Sequence, residues 1–208
     1  MTVLALEFSS ARRSVALARG GVVLAEAVEQ TDGRGTNAFA LIERGLAAAK
    51  ISRAEIEAIA VGLGPGSYTG IRAALALGQG WRLARDLKLL GVSSVAAIAL
   101  RAQIEKIFGQ VNIVIDAQRG EFYLATWDIS ATTRQEVSPL KIVSAAEIQS
   151  LQASGKICLG PESARQIFPG ATEIAILAQE KTAPEETVLT PIYLRAISFV
   201  KAPASRDW

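Results

Sequence analysis

The sequence predicts an α/β fold in which a sheet is covered by helices. Three observations carry this: a strand meander at the start, a glycine-rich strand-to-helix turn, and strands that return after each helix. Residues 2–8, 14–19 and 22–28 each form an apolar run of strand length, and Gly20-Gly21 between the last two is a hairpin signal.

A helix is expected over residues 37–50, opened by Asn37 as N-cap. Its apolar positions Ala38, Leu41, Ile42, Gly45, Leu46 and Ala49 repeat at the spacing of one helical face. Ser52 and Glu55 stand at capping-box spacing, and residues 56–63 read as a buried strand. Gly64-Pro65-Gly66-Ser67-Tyr68-Thr69-Gly70 then leads into a helix over 71–87, a strand over 88–92 and a helix over 94–108.

The second half is less regular. Strands are expected over 111–117 and 121–129 about a turn at Gly120, and over 138–143 and 156–159. A helix over 144–153 is capped by Ser144 with Glu147 three residues on, and a second is expected over 162–167. No element is predicted for 168–181; residues 182–190 read as a loop, and 193–199 fits either helix or strand. The second hairpin repeats the first: strand, acid, short polar turn, strand. This echo suggests two related lobes, 1–103 and a smaller 104–192, with 193–208 packing back on the first.

Composition narrows the chemistry. The chain has 208 residues, half of them apolar and a fifth charged, enough for a real core. Its net charge of +2 is too balanced to announce a nucleic-acid binder by electrostatics alone. The single Cys158 cannot form an internal disulfide, which agrees with a reducing compartment. The opening residues lack a basic segment, and no apolar run reaches membrane length, so a soluble, cytoplasmic protein is expected, with no membrane partner. There is no histidine. That removes a Ser-His-Asp triad, a Cys-His pair and any His-ligated metal.

Four features could carry function. The loop from Gly64 to Gly70 either offers backbone N–H groups to an anion or is a tight connection needing glycine. It matches neither the Walker A loop nor the dinucleotide fingerprint. Glu7 beside Ser9 and Ser10, and Asp116 beside its own turn, could face each other across a cleft and hold a phosphate. Ordinary solvated hairpins would look the same. Gly78 and Gly80 cost roughly 1 kcal/mol each inside a helix relative to alanine, which calls for a close neighbour, either a partner helix or the chain's own sheet. The segment Pro191-Ile192-Tyr193-Leu194-Arg195 reads as a packed connector.

The run Gly62-Leu63-Gly64-Pro65-Gly66-Ser67-Tyr68-Thr69-Gly70-Ile71-Arg72 resembles the signature of the TsaB family, also called YeaZ. Four further segments resemble it in order: Leu4 to Ser9, Gly91 to Val95, Asp116 to Tyr123 and Pro191 to Arg195. The family usually carries Asp where Glu7 stands, and often His where Arg34 stands. The resemblance implies an actin/sugar-kinase-like (ASKHA) fold with two related lobes, the second reduced.

It also implies a function: a non-catalytic scaffold or activating subunit in threonylcarbamoylation of the tRNA adenosine beside the anticodon. The expected partners are a catalytic TsaD-like subunit, a TsaE-like ATPase, tRNA through the complex, and a second copy when alone. No catalytic residue, metal ligand or cofactor of its own is expected, with ATP and Mg²⁺ belonging to the complex. The interface candidates implied are Phe39, Ile42, Leu46, Ala73, Leu77 and Gly80. Ser9, Ser10 and Asp116 are the candidates for a nucleotide or phosphate. The alternative is a small-molecule acyl or sugar kinase of the same superfold, using Glu7 and Asp116 around Mg-ATP.

Overall fold

The computed structural model describes residues 1–31, 37–180 and 189–194. The elements follow in chain order as β1 (Thr2–Glu7), β2 (Arg12–Arg19), β3 (Val22–Gln30), α1 (Ala38–Ala49), β4 (Ala58–Gly62), α2 (Tyr68–Ala84), β5 (Lys88–Val92) and α3 (Ser94–Ile104). Then come β6 (Gly109–Asp116), β7 (Glu121–Ile129), β8 (Arg134–Ser144), α4 (Ala145–Ala153), β9 (Ile157–Gly160), β10 (Arg165–Gln166) and α5 (Ala171–Glu180).

The strands form two five-stranded sheets, ordered β3-β2-β1-β4-β5 and β10-β9-β6-β7-β8. In the first, β1 pairs antiparallel with β2 and parallel with β4. In the second, β6 pairs antiparallel with β7 and parallel with β9. Order and direction are therefore the same in both sheets, with β6 standing where β1 stands. This is the two-lobed α/β plan expected from the sequence.

Side-chain alternation builds the layers. Along β1, Leu4 and Leu6 point to one face with Leu17, Ile59 and Val61, where α1 (Leu41, Ile42, Leu46) and α2 (Ile71, Ala74, Leu75) cover them. Val3 and Ala5 point to the other face beside Ala16, Ala18, Ala58 and Ala60, against α3 and α5. These small residues let the helices approach the sheet closely. The opposite side of α3 (Val95, Ile98, Ala99, Ala102) packs on Ile113, Ile115 and Tyr123 of the second sheet. Helix α4 covers that sheet's outer side through Ile148. One helical layer, α3 with α5, thus lies between the sheets.

Helix α5 is the element the sequence reading lacked. Although it follows the second sheet in the chain, it packs on β1, β2 and β4 of the first. Its first turn is held by the Ala171 N–H, which donates to Ser14 Oγ at 2.7 Å, and by the Arg101–Glu173 ion pair at 3.0 Å. The Glu173 side chain is fully buried, and burial pushes its carboxyl up to about 7 despite Arg101. Arg134 of β8 ties the lobes by reaching Glu180 (2.7 Å) on α5 and Gln103 (2.6 Å) on α3.

The expected helix over 162–167 is not formed. Ser163 and Ile167 N–H groups both donate to the Gly160 carbonyl, and Arg165–Gln166 adds a short parallel strand to β9. Six residues are too few to offset helix nucleation, while the sheet edge offers partners at once. Helix α2 starts at Tyr68, three residues before the expected start, because Ser67 accepts from the Gly70 N–H and acts as its N-cap. The element expected over 193–199, the loop over 182–190, Arg34 and Arg195 lie wholly or mostly outside the described residues.

Candidate functional site

The signature loop is a packing device. A Cβ on Gly62 would overlap the Glu7 carboxylate, one on Gly70 the Phe8 carbonyl, and one on Gly66 the Ser9 carbonyl. Gly62 at the end of β4, Gly66 in the loop and Gly70 in the first turn of α2 thus meet three successive residues, Glu7 to Ser9, where the chain leaves β1. The Ser67 N–H donates to the Ser9 carbonyl at 2.6 Å, and the Gly64–Pro65 peptide is cis. Gly64 and Gly66 also hold φ of +85° and +145°, which other residues rarely adopt. The tight-connection reading accounts for all of these glycines.

Glu7 is sealed inside this junction. Its Oε1 accepts from the Ser9 N–H (2.7 Å) and its Oε2 from the Ser94 hydroxyl (2.8 Å). Ser94 in turn accepts from the Gly64 N–H at 3.2 Å. Burial raises the Glu7 carboxyl above its usual range, against the lowering effect of the bonds from Ser9 and Ser94. Glu7 braces β1, the loop and the start of α3. It has no surface to offer a metal ion or phosphate.

A cleft of about 910 Å³ opens beyond this junction, between the β1–β2 turn of one lobe and the β6–β7 turn of the other. Ser9, Ser10 and Asp116 all line it, so the structure brings the three phosphate candidates together. Pro65, Gly66 and Ser67 form part of its wall; Gly64 and Gly70 are buried outside its lining, and Thr69 is exposed outside it. Asp116 is satisfied within its own turn, accepting at 2.7 Å from both the backbone and side-chain amides of Gln118. Its N–H donates to Glu162 Oε2 at 3.3 Å, and burial holds the Glu162 carboxyl above its usual range. Gln118 and Arg119 both have left-handed backbones (φ +65° and +62°), which presents the Arg119 side chain at the cleft.

Sequence reasoning missed the aromatic wall. The Tyr68 and Tyr193 rings stack with centroids 5.5 Å apart. The Arg72 guanidinium lies 5.1 Å above Tyr68 and donates to its hydroxyl at 2.7 Å. Tyr193 is positioned by the Ile192 N–H, which donates to the Leu63 carbonyl at 2.9 Å, and by Leu189, buried beside Gly91. With the helix expected only from residue 71, Tyr68 was read as loop, and its partner lies 125 residues away.

The interface candidates divide. Ile42 and Leu46 are core residues, 1% and 4% exposed, under the first sheet's helix layer, so neither can meet a partner. Their i, i+4 spacing marks the inward stripe of α1. Leu77 is half-buried against that core. Phe39 on α1 and Ala73 and Gly80 on α2 are exposed. Gly78 packs on Leu89 and Val61 of the chain's own sheet, whereas nothing stands within 4 Å of a Cβ on Gly80. Thr69, Ala73, Ala76, Gly80 and Leu83 form one outward stripe of 4-3-4-3 spacing, and Leu83 is 90% exposed.

The chain's relatives can be set beside this geometry. A family model described as TsaD, tRNA N6-adenosine threonylcarbamoyltransferase, matches residues 7–202. The tRNA threonylcarbamoyladenosine biosynthesis protein TsaB of Bacillus subtilis is 26% identical over 94% of both chains. The Escherichia coli protein of the same name is 32% identical over 61% of this chain and 55% of its own length. The chain belongs to the TsaB (YeaZ) family. The solved structure of YeaZ from Pseudomonas aeruginosa superimposes with a TM-score of 0.75 at 23% identity, covering 93% of this chain and 99% of that one. The two-lobed α/β fold is thus shared with that protein along almost the whole length. Among the described residues no group of three or more acids or cysteines could hold a metal ion, and no helix is long and apolar enough to cross a membrane.

Proposed function

We propose that this TsaB-family chain serves tRNA threonylcarbamoyladenosine formation as a non-catalytic cytoplasmic subunit that docks on a TsaD-like catalytic chain. The observation that carries the reading is the outer face of α2. Small residues at 4-3-4-3 spacing ending on an exposed leucine suit the close approach of another helix, and the described residues leave that face uncovered. Phe39 on α1 extends the apolar surface on the same side of the first sheet. A second copy occupies this face when the catalytic partner is absent. A TsaE-like ATPase and tRNA join the assembly, and any ATP and Mg²⁺ act there rather than on a catalytic group of this chain.

The site chemistry supports a non-catalytic role. Without histidine, with Glu7 sealed and Asp116 held by its own turn, the two acids expected to work across the cleft are both already engaged. A kinase working Mg-ATP between Glu7 and Asp116 would need the buried carboxylate to leave its bonds. The test is size-exclusion chromatography of the purified chain with a TsaD-like protein, alone and as Gly80→Glu. Co-elution of the wild type and its loss in the variant support docking through α2; equal co-elution refutes that surface.

A further inference from the structure

The first turn of α5 is seated in a cluster of charged side chains drawn from separate elements. Glu173 belongs to α5 itself, Arg101 to α3, Arg12 to β2 and Glu26 to β3. Arg101 lies 3.0 Å from Glu173 Oε1, and Arg12 lies 3.6 Å from Glu26 Oε2. Glu173 Oε2 and Glu26 Oε1 remain, and both are buried without a hydrogen-bond partner among the described residues. The two oxygens converge on one point, since a Cβ on Gly170 would stand 2.4 Å from the first and 3.4 Å from the second. Glu105, one turn beyond Arg101, faces the small pocket lined by Arg12 and Arg101. Strands β1, β4 and β5 face α5 with apolar side chains, among them Val3, Ala5, Ala60 and Val92.

A buried carboxylate oxygen left without a donor is costly, and so is the approach of two ionised carboxylates. Arg12 and Arg101 beside them disfavour a metal cation as the guest that would satisfy both. We propose that Glu26 and Glu173 share one proton, which clasps the first turn of α5 to β3 of the first sheet. The proton sits on Glu173 Oε2 and is donated to Glu26 Oε1, so each orphaned oxygen gains a partner. When it leaves for solvent, two like charges face each other beside Gly170. They push away the turn whose Ala171 N–H is held by Ser14 of β2. Pro169, just ahead of this turn, lines the interlobe cleft, so the clasp also sets that wall. Burial of Glu173, with Glu26 reinforcing it and Arg101 and Arg12 opposing, holds its carboxyl at about 7, which places release near neutral pH. The device is a pH switch in a chain without histidine, and it is independent of docking on α2.

The experiment follows the glutamate side-chain carboxyl carbons of the labelled full-length chain by NMR as pH is raised. The carboxyl step near neutral pH should move down by roughly one pH unit or more in Glu26→Gln, where the like charge is gone and an amide donor replaces it. A step that stays in place means that burial alone holds the proton, and overturns the sharing. Amide hydrogen exchange reads the clasp itself. Corrected for the intrinsic rate, protection of the Ala171 and Ile174 amides should fall about ten-fold from about pH 6 to about pH 8.5 in the wild type, and stay level in Glu173→Gln. Level protection in the wild type, or the same fall in the variant, overturns the clasp. If Glu173→Gln does not fold, Glu26→Gln supplies the same reading, because it too removes one of the facing charges.

Discussion

The α-carbon of Gly70 faces the carbonyl oxygen of Phe8 with no room for a Cβ between them. This contact presses the first turn of α2 against the end of β1, and Gly62 and Gly66 repeat it on Glu7 and Ser9. The obstacles at Gly66 and Gly70 are backbone atoms, which cannot swing aside as a flexible side chain would.

Gly70→Ala is therefore expected to destabilise the protein by at least ~2 kcal/mol, as overpacking does. Gly80→Ala meets open space and should stabilise α2 by up to ~1 kcal/mol. Urea unfolding of the two variants, with opposite shifts in midpoint, checks the pair.

Ser94 joins the Glu7 carboxylate to the loop by donating to Glu7 and accepting from the Gly64 N–H. Ser94→Ala leaves a buried carboxylate and an amide short of partners, at a cost of about 1–3 kcal/mol. Chemical unfolding measures the loss directly.

The acid on α5 makes stability depend on pH. Glu173 has a folded-state pKa of about 7 against an ordinary 4.5, so its contribution is full below pH 4.5 and is lost as pH rises through 7. Arg101 and Arg12 oppose the shift and Glu26 reinforces it. Buried Glu7, also raised, acts in the same sense. Relative to wild type, Glu173→Gln should gain on the order of 3 kcal/mol between pH 5 and pH 8. Parallel pH profiles for the two proteins would show that Glu173 does not titrate there.

The two faces of α1 should separate stability from docking. Ile42→Ala removes a core side chain and should cost about 2–5 kcal/mol. Phe39→Ala, at 60% exposure, should leave the unfolding midpoint within about 0.5 kcal/mol and weaken partner binding instead. Thermal melts beside a binding titration distinguish them.

Much of the fold was legible because its signals are local. Gly20-Gly21 takes the positive φ of a hairpin turn, Ser52 and Glu55 form their capping box, and Asn37 caps α1. Helix α5 was not legible. Ala171, Ile174, Ala175 and Ala178 have helical spacing, yet a buried glutamate in the first turn breaks the apolar face. The resemblance located the pairing helices without saying which face is outward, and the spacing that revealed α1 already put Ile42 and Leu46 on the stripe turned to the core. The cleft brought Ser9, Ser10 and Asp116 together as the repeated hairpins suggested. The Tyr68–Tyr193 stack depends on a chain return that no local pattern encodes.

The central claim is that this chain supports tRNA modification without doing the chemistry. It is tested most directly by mass spectrometry of threonylcarbamoyladenosine in tRNA from cells lacking their own TsaB, complemented with this chain or its Gly80→Glu variant. The account predicts that the wild type restores the modified base and the variant does not, though it remains folded and present. Full modification with the variant, or none with the wild type while it binds its TsaD-like partner, would contradict it.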